Sequence, residues 1–208
     1  MRRWTRRSLA VFCLSAVALS PADDGAPLAD HRLRIDLPVV ATTDRYPPYD
    51  DFCRRQPPAC TLEGAPIIEQ ADGLLDDLQQ VSKEINRAVR FTLDSEIYSV
   101  EDYWALPTSG FGDCEDVALA KRVRLVAMGY PSAALRLAFV FSPDALSAHC
   151  VLTAETALGT LVLDSFTDAV VHWTESGYNF EARERPDGRW ERYDQSLWQY
   201  ARPPGILP

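Results

Sequence analysis

Apolar and polar positions change period along this chain, from helical spacing in the front half to alternation in the back half. In Glu69–Val89, residues Leu74, Leu75, Leu78, Val81, Ile85 and Val89 approximate a helical stripe, which predicts an amphipathic helix packed on the core. Asn86 and Arg87 near its end read as surface or capping residues, with a place facing the site as the alternative. Phe91–Trp104 is less regular, and Trp104 reads as a core aromatic, with a place lining the cleft as the alternative. A second helix follows over Val117–Met128, central and buried, with Gly129 placed just past its end and Pro131 preventing continuation. Then the period becomes two. Leu135–Phe141 predicts a strand, broken by Ser142-Pro143-Asp144; Ser147–Thr153 and Thr160–Asp164 predict two more, joined through Glu155–Gly159. Further strands are predicted within Phe166–Trp173, Tyr178–Arg183 and Trp190–Tyr193, the last two at the sheet edge around the turn Pro186-Asp187-Gly188. This is an α+β pattern: a helix layer on an antiparallel sheet.

The flanks lack such periods. Met1-Arg2-Arg3-Trp4-Thr5-Arg6-Arg7, then apolar Leu9–Leu19 and small Ser20-Pro21-Ala22, describe a signal peptide cleaved after Ala22, with an uncleaved anchor as the alternative. The apolar run is too short to span a membrane. Residues 23–45 are polar and mixed, a mature N-terminal arm with a solvated His31. Tyr46–Pro66 is rich in Pro and Asp and predicts loop, and 201–208 is a tail. One domain over 46–200 remains, long enough for a core of its own.

Charge narrows the function classes. The formal net charge is −9, and removing residues 1–22, with four arginines and no acids, takes it to −13. So acidic a protein has no general field for nucleic acid or an anionic membrane, whereas divalent cations and cationic partners remain open. Of five cysteines, Cys13 leaves with the signal peptide. Cys53 and Cys60 bracket a Pro-rich stretch and, in an oxidising compartment, form a local disulfide or else part of a metal site. Cys150 reads as a buried apolar filler.

Cys114 has the reactive setting. It lies in Gly110-Phe111-Gly112-Asp113-Cys114-Glu115-Asp116, a glycine loop leading into the second helix, where unpaired N–H groups and the macrodipole favour a thiolate. With a basic partner, such a thiol falls well below the ~8.5 of a free cysteine. His149 is the candidate. A hairpin centred between Thr156 and Ala157 would oppose His149 directly to Asp164 on one face, with Cβ atoms roughly 5 Å apart. Docking the Cys114 helix on that face would complete a Cys-His-Asp triad. His172, the competing histidine, has no acid at a matched cross-strand position. Asp113, Glu115 and Asp116 are favoured in a first helical turn whatever their function.

The run GDCEDVALAKRVRLVAMGYP, followed by LRLAFVF, AHCVLT and LVLDSF, resembles the bacterial transglutaminase-like cysteine peptidases, the family of LapG-type periplasmic proteases, over roughly Tyr46 to Tyr178. The resemblance implies a papain/transglutaminase-like fold, Cys114 as nucleophile, His149 as general base and Asp164 as third member. It also implies calcium binding at Asp113 and Glu115, a large surface adhesin as substrate, and control by an inner-membrane receptor. Two departures stand out: Ser165 replaces the asparagine common after the second strand, and the loop before Gly112 differs. The same triad serves a transglutaminase, an acyltransferase or a cell-wall peptidase, and a non-catalytic peptide-binding module is the remaining class. The implied location is periplasmic or secreted.

Overall fold

A computed structural model describes residues 34–69 and 72–198. The predicted signal peptide with Cys13, the arm residue His31 and the tail 201–208 lie outside the described residues. Among the described residues nine strands run in chain order as β1 (Val39–Thr43), β2 (Arg90–Phe91), β3 (Phe111–Gly112), β4 (Leu135–Ser142), β5 (Ser147–Thr156), β6 (Gly159–Leu163), β7 (Val171–His172), β8 (Asn179–Glu184) and β9 (Trp190–Tyr193). Seven of these form one antiparallel sheet in the order β1-β9-β8-β4-β5-β6-β7, and β2 pairs with β3 in parallel. The α+β reading holds.

Helix α1 (Pro47–Arg55) and helix α2 (Pro57–Cys60) replace the loop predicted over Tyr46–Pro66. The prolines near the start of each carry a loop signal in the sequence. They sit instead where a first-turn proline costs no hydrogen bond. The Cys53–Cys60 disulfide ties the two helices together. Helix α3 (Leu74–Ala88) follows with Leu74, Leu78 and Val81 buried, then a short α4 (Asp94–Ile97) and α5 (Cys114–Ala127). Beyond α5, Gly129 takes φ 99°, the left-handed cap its position predicted.

Alternation gives the sheet two packed faces. Leu135, Leu137, Cys150, Leu152, Ala154, Leu161 and Leu163 join Ala118, Leu119 and Leu125 of α5 in the main core. Ala138, Val140, Val151, Val162 and Phe180 pack on the other side with Trp173 and Tyr193. Two expectations fail here. Strand β8 is central, between β9 and β4, and residues 39–43 of the arm extend the sheet by pairing with β9, so neither β8 nor β9 is an edge. Trp104 is 1% exposed, as a core aromatic should be.

Candidate active site and acidic cluster

Helix α5 begins at Cys114, with Asp113 as an extended N-cap. Gly112 is required by packing: a Cβ there would lie 2.8 Å from both Cβ and Oδ2 of Asp116. The loop therefore folds tightly onto the helix's first turn and fixes where the cysteine emerges. Its Sγ accepts the Cys150 amide N–H at 3.4 Å. Cys150 lies past the last β5–β6 pairing, Leu152 with Leu163, so its amide is released to the thiol by the end of β6.

The hairpin differs from expectation by two residues. Thr156 pairs with Gly159, so the centre lies between Ala157 and Leu158, and Asp164 stands diagonal to His149 rather than opposite. A two-residue shift keeps both on one face, whereas a one-residue shift would have separated them. The side chains close the diagonal: His149 Nε2 and Asp164 Oδ1 are 2.7 Å apart and buried. Tyr178 donates its hydroxyl to Asp164 Oδ2 at 2.5 Å, and the Phe166 amide donates to Oδ1 at 3.1 Å. Burial alone would push Asp164 up, but the bonds from His149 and Tyr178 hold it below the usual carboxylate range.

Contrary to the prediction, helix α5 does not dock on the His149 face. It packs on the face of Cys150 and Leu152, while His149, paired with Val140, alternates to the other. The thiol reaches the sheet at the strand position next to the histidine, where β6 has ended. His172 lies in β7 opposite Leu161, with Nδ1 2.7 Å from Thr174 Oγ1.

Two side chains support this pair, of which the sequence reading held Asn86 as an alternative and missed Lys121. Asn86 is no mere cap: its Nδ2 donates to the carbonyls of Asp164 and Thr167, each at 3.0 Å, and to Asp168 Oδ1 at 3.2 Å. Lys121 on α5 is buried and donates to the Asp164 carbonyl at 2.6 Å. The spacing of Lys121, seven residues or two turns after Cys114, was the available signal.

The acidic residues gather more tightly than first-turn capping explains. Asp94, Asp102 and Glu115 form one set of carboxylate oxygens within 4.8 Å of one another, and Asp94, Asp113 and Asp116 form another. Asp94 accepts the Tyr103 amide through Oδ2, and Asp116 accepts the Ala105 amide through Oδ1 at 2.7 Å, folding that loop over the start of α5. The remaining oxygens Asp94 Oδ1, Asp102 Oδ1, Asp113 Oδ1 and Asp116 Oδ2 are buried without a partner. Desolvation first, and like charges besides, push Asp94 up to about 6 and Asp116 to about 8; Glu115 is pushed up by desolvation and then by its hydrogen bond with Asp113. Cys114 is raised well above an ordinary thiol, by burial and then by Glu115 and Asp113, against the predicted depression. Its S–H donates to Glu115 Oε2 at 3.4 Å. Orphaned hard oxygens at this density fit a calcium-type cation. Asp94 and Asp102 were not anticipated, because nothing local in the sequence ties them to Asp113.

A cysteine leading a helix packed on an antiparallel sheet, beside a buried histidine–aspartate pair, defines a transglutaminase-like cysteine peptidase. The chain belongs to the bacterial transglutaminase-like cysteine proteinases (BTLCP), whose family model matches residues 40–197. Among solved structures, calcium-bound LapG of Legionella pneumophila is similar at 28% identity and TM-score 0.50, covering 59% of this chain and 73% of that one. EGTA-treated LapG of the same organism is similar at 27% identity and TM-score 0.49, with coverage of 59% and 73%. Comparison with curated proteins gives no match.

Proposed function

We propose that Cys114 is the nucleophile, His149 the general base and Asp164 the residue that orients it. The observation that carries this reading is the buried 2.7 Å contact of His149 Nε2 with Asp164, one residue from the amide that holds Cys114 Sγ. With Nε2 committed to the carboxylate, Nδ1 is the nitrogen left to take the thiol proton. The thiolate then attacks the scissile carbonyl, the amine leaves with a proton from imidazolium, and water hydrolyses the thioester. The Cys114 amide at the helix N-terminus is a donor for the oxyanion. Asp164, held low, stabilises the imidazolium while it exists.

In this reading Asp113 and Glu115 hold calcium, joined by Asp94, Asp102 and Asp116. Bound, the ion would offset the carboxylate field that keeps the thiol protonated. The LapG-type resemblance supports a periplasmic or secreted endopeptidase acting on a large surface adhesin, under an inner-membrane receptor. A deletion strain that retains an adhesin shed by the parent supports that substrate; altered wall crosslinks with an unchanged adhesin point to a cell-wall peptidase instead.

The primary test is the rate of Cys114 alkylation by iodoacetamide from pH 5 to 9, on the mature protein and on His149→Ala, in calcium and in chelator. Fast labelling near neutral pH that His149→Ala slows, and that chelator shifts to higher pH, is the expected result. Labelling only above about pH 8, indifferent to His149, marks an ordinary thiol and sinks the assignment.

A further inference from the structure

Phe166 stands two residues after Asp164, and its ring lies flat on the imidazole of His149, with centroids 4.2 Å apart and planes 5° from parallel. Phe166 is 53% exposed, while the histidine beneath it is 3% exposed. A half-exposed phenyl contributes little to a core, so its placement needs another reason. It also meets Phe91, at 6.2 Å between centroids with the planes 50° apart. Phe91 belongs to β2, paired there with Gly112 two residues before the nucleophile. The aromatic pair thus bridges the loop that carries Asp164 and the loop that carries Cys114.

The geometry of the imidazole explains what the ring does. One hydrogen bond through Nε2 restrains one ring atom and leaves the ring a residual rotation about its own Cβ–Cγ bond. Turning would swing Nδ1 off its direction. A flat contact over the whole ring removes that freedom, and it also keeps water from the hydrogen bond, which strengthens in a drier setting. Tyr178 leans on the imidazole at 5.7 Å with planes 58° apart, so it bounds the site without setting the ring plane.

We propose that Phe166 is a positioning residue for the His149–Asp164 pair, its stacked ring setting the imidazole plane so that Nδ1 is held toward the Cys114 thiol. This rests on the triad reading above. The test compares Phe166→Leu, Phe166→Tyr and Phe166→Trp with the parent protein in calcium. Three readouts are taken: the iodoacetamide rate at Cys114 at pH 7, the melting temperature, and the proton NMR signal of the His149 Nε2–H.

Leucine keeps apolar bulk and loses the flat contact. It should slow labelling roughly two- to tenfold, the range of one aromatic pair, and broaden the ring-proton signal through exchange with water. Tyrosine and tryptophan should restore both. A leucine variant that labels at the parent rate with a sharp ring-proton signal overturns the proposal, whatever its melting temperature. Failure of the triad reading looks different: the parent itself would then label no faster than His149→Ala.

Discussion

Lys121 shows how one buried side chain can be tested apart from its neighbours. It is 0% exposed, and its Nζ shares the Asp164 carbonyl with Asn86, so the backbone of the aspartate is clamped while its carboxylate faces His149. Desolvation lowers Lys121 to about 8, with Asp164 and Asp168 pulling the other way. The folded value lies below that of the unfolded chain, so the unfolded state holds more protons between about 8 and ~10.4, and stability rises with pH across that window. Lys121→Met removes this rise, which is on the order of 2–3 kcal/mol. Urea unfolding at pH 7 and pH 10 checks it, because every other titrating group is common to the two proteins and cancels. Equal pH responses in parent and variant would refute the linkage.

Elements were legible in proportion to their own periodicity. The α3 stripe, the α5 span with its Gly129 stop, and β4, β5, β6 and β9 all follow from spacing, and the triad candidates could be placed by adding one assumption about a turn. That assumption was off by two residues, and the even period of a strand absorbed the error. What stayed hidden was set by distant partners. Arg122 on α5 has the polarity of a surface residue, yet it is 1% exposed and paired with Glu184 of β8 at 2.5 Å. It also donates to Tyr49 at 2.9 Å and to the Ala59 carbonyl at 2.8 Å, fastening α1, α2 and the central sheet to the nucleophile's helix. No local pattern encodes such a junction. Removing one partner strands the other: Arg122→Ala should cost about 3–5 kcal/mol by denaturant unfolding, and Glu184→Gln a smaller part of it. A loss under about 1 kcal/mol for Arg122→Ala would mean the junction contributes no net stability.

At the scale of the whole molecule, five of the chain's 30 acidic residues meet at one corner, drawn from the α4 region, the following loop and the start of α5. Four of their oxygens are buried without a partner, so the folded chain alone leaves this corner under-satisfied. An ion that binds only the folded state should recover that cost as stability: about 2.7 kcal/mol at a hundredfold excess over Kd. For a domain of this size that raises Tm by roughly 5–10 °C. Asp94 is the discriminating position, since it is 1% exposed and belongs to both acidic sets. Asp94→Asn keeps an acceptor for the Tyr103 amide and removes one charge. In chelator it should therefore melt at or above the parent, and in calcium it should lose most of the parent's gain. Calorimetric melting of both proteins with calcium and with EGTA decides between an ion site and a cluster held together by its own protons. A parent Tm indifferent to calcium, or an Asp94→Asn variant with the full calcium increment, would leave the protons as the only means by which these acids are tolerated.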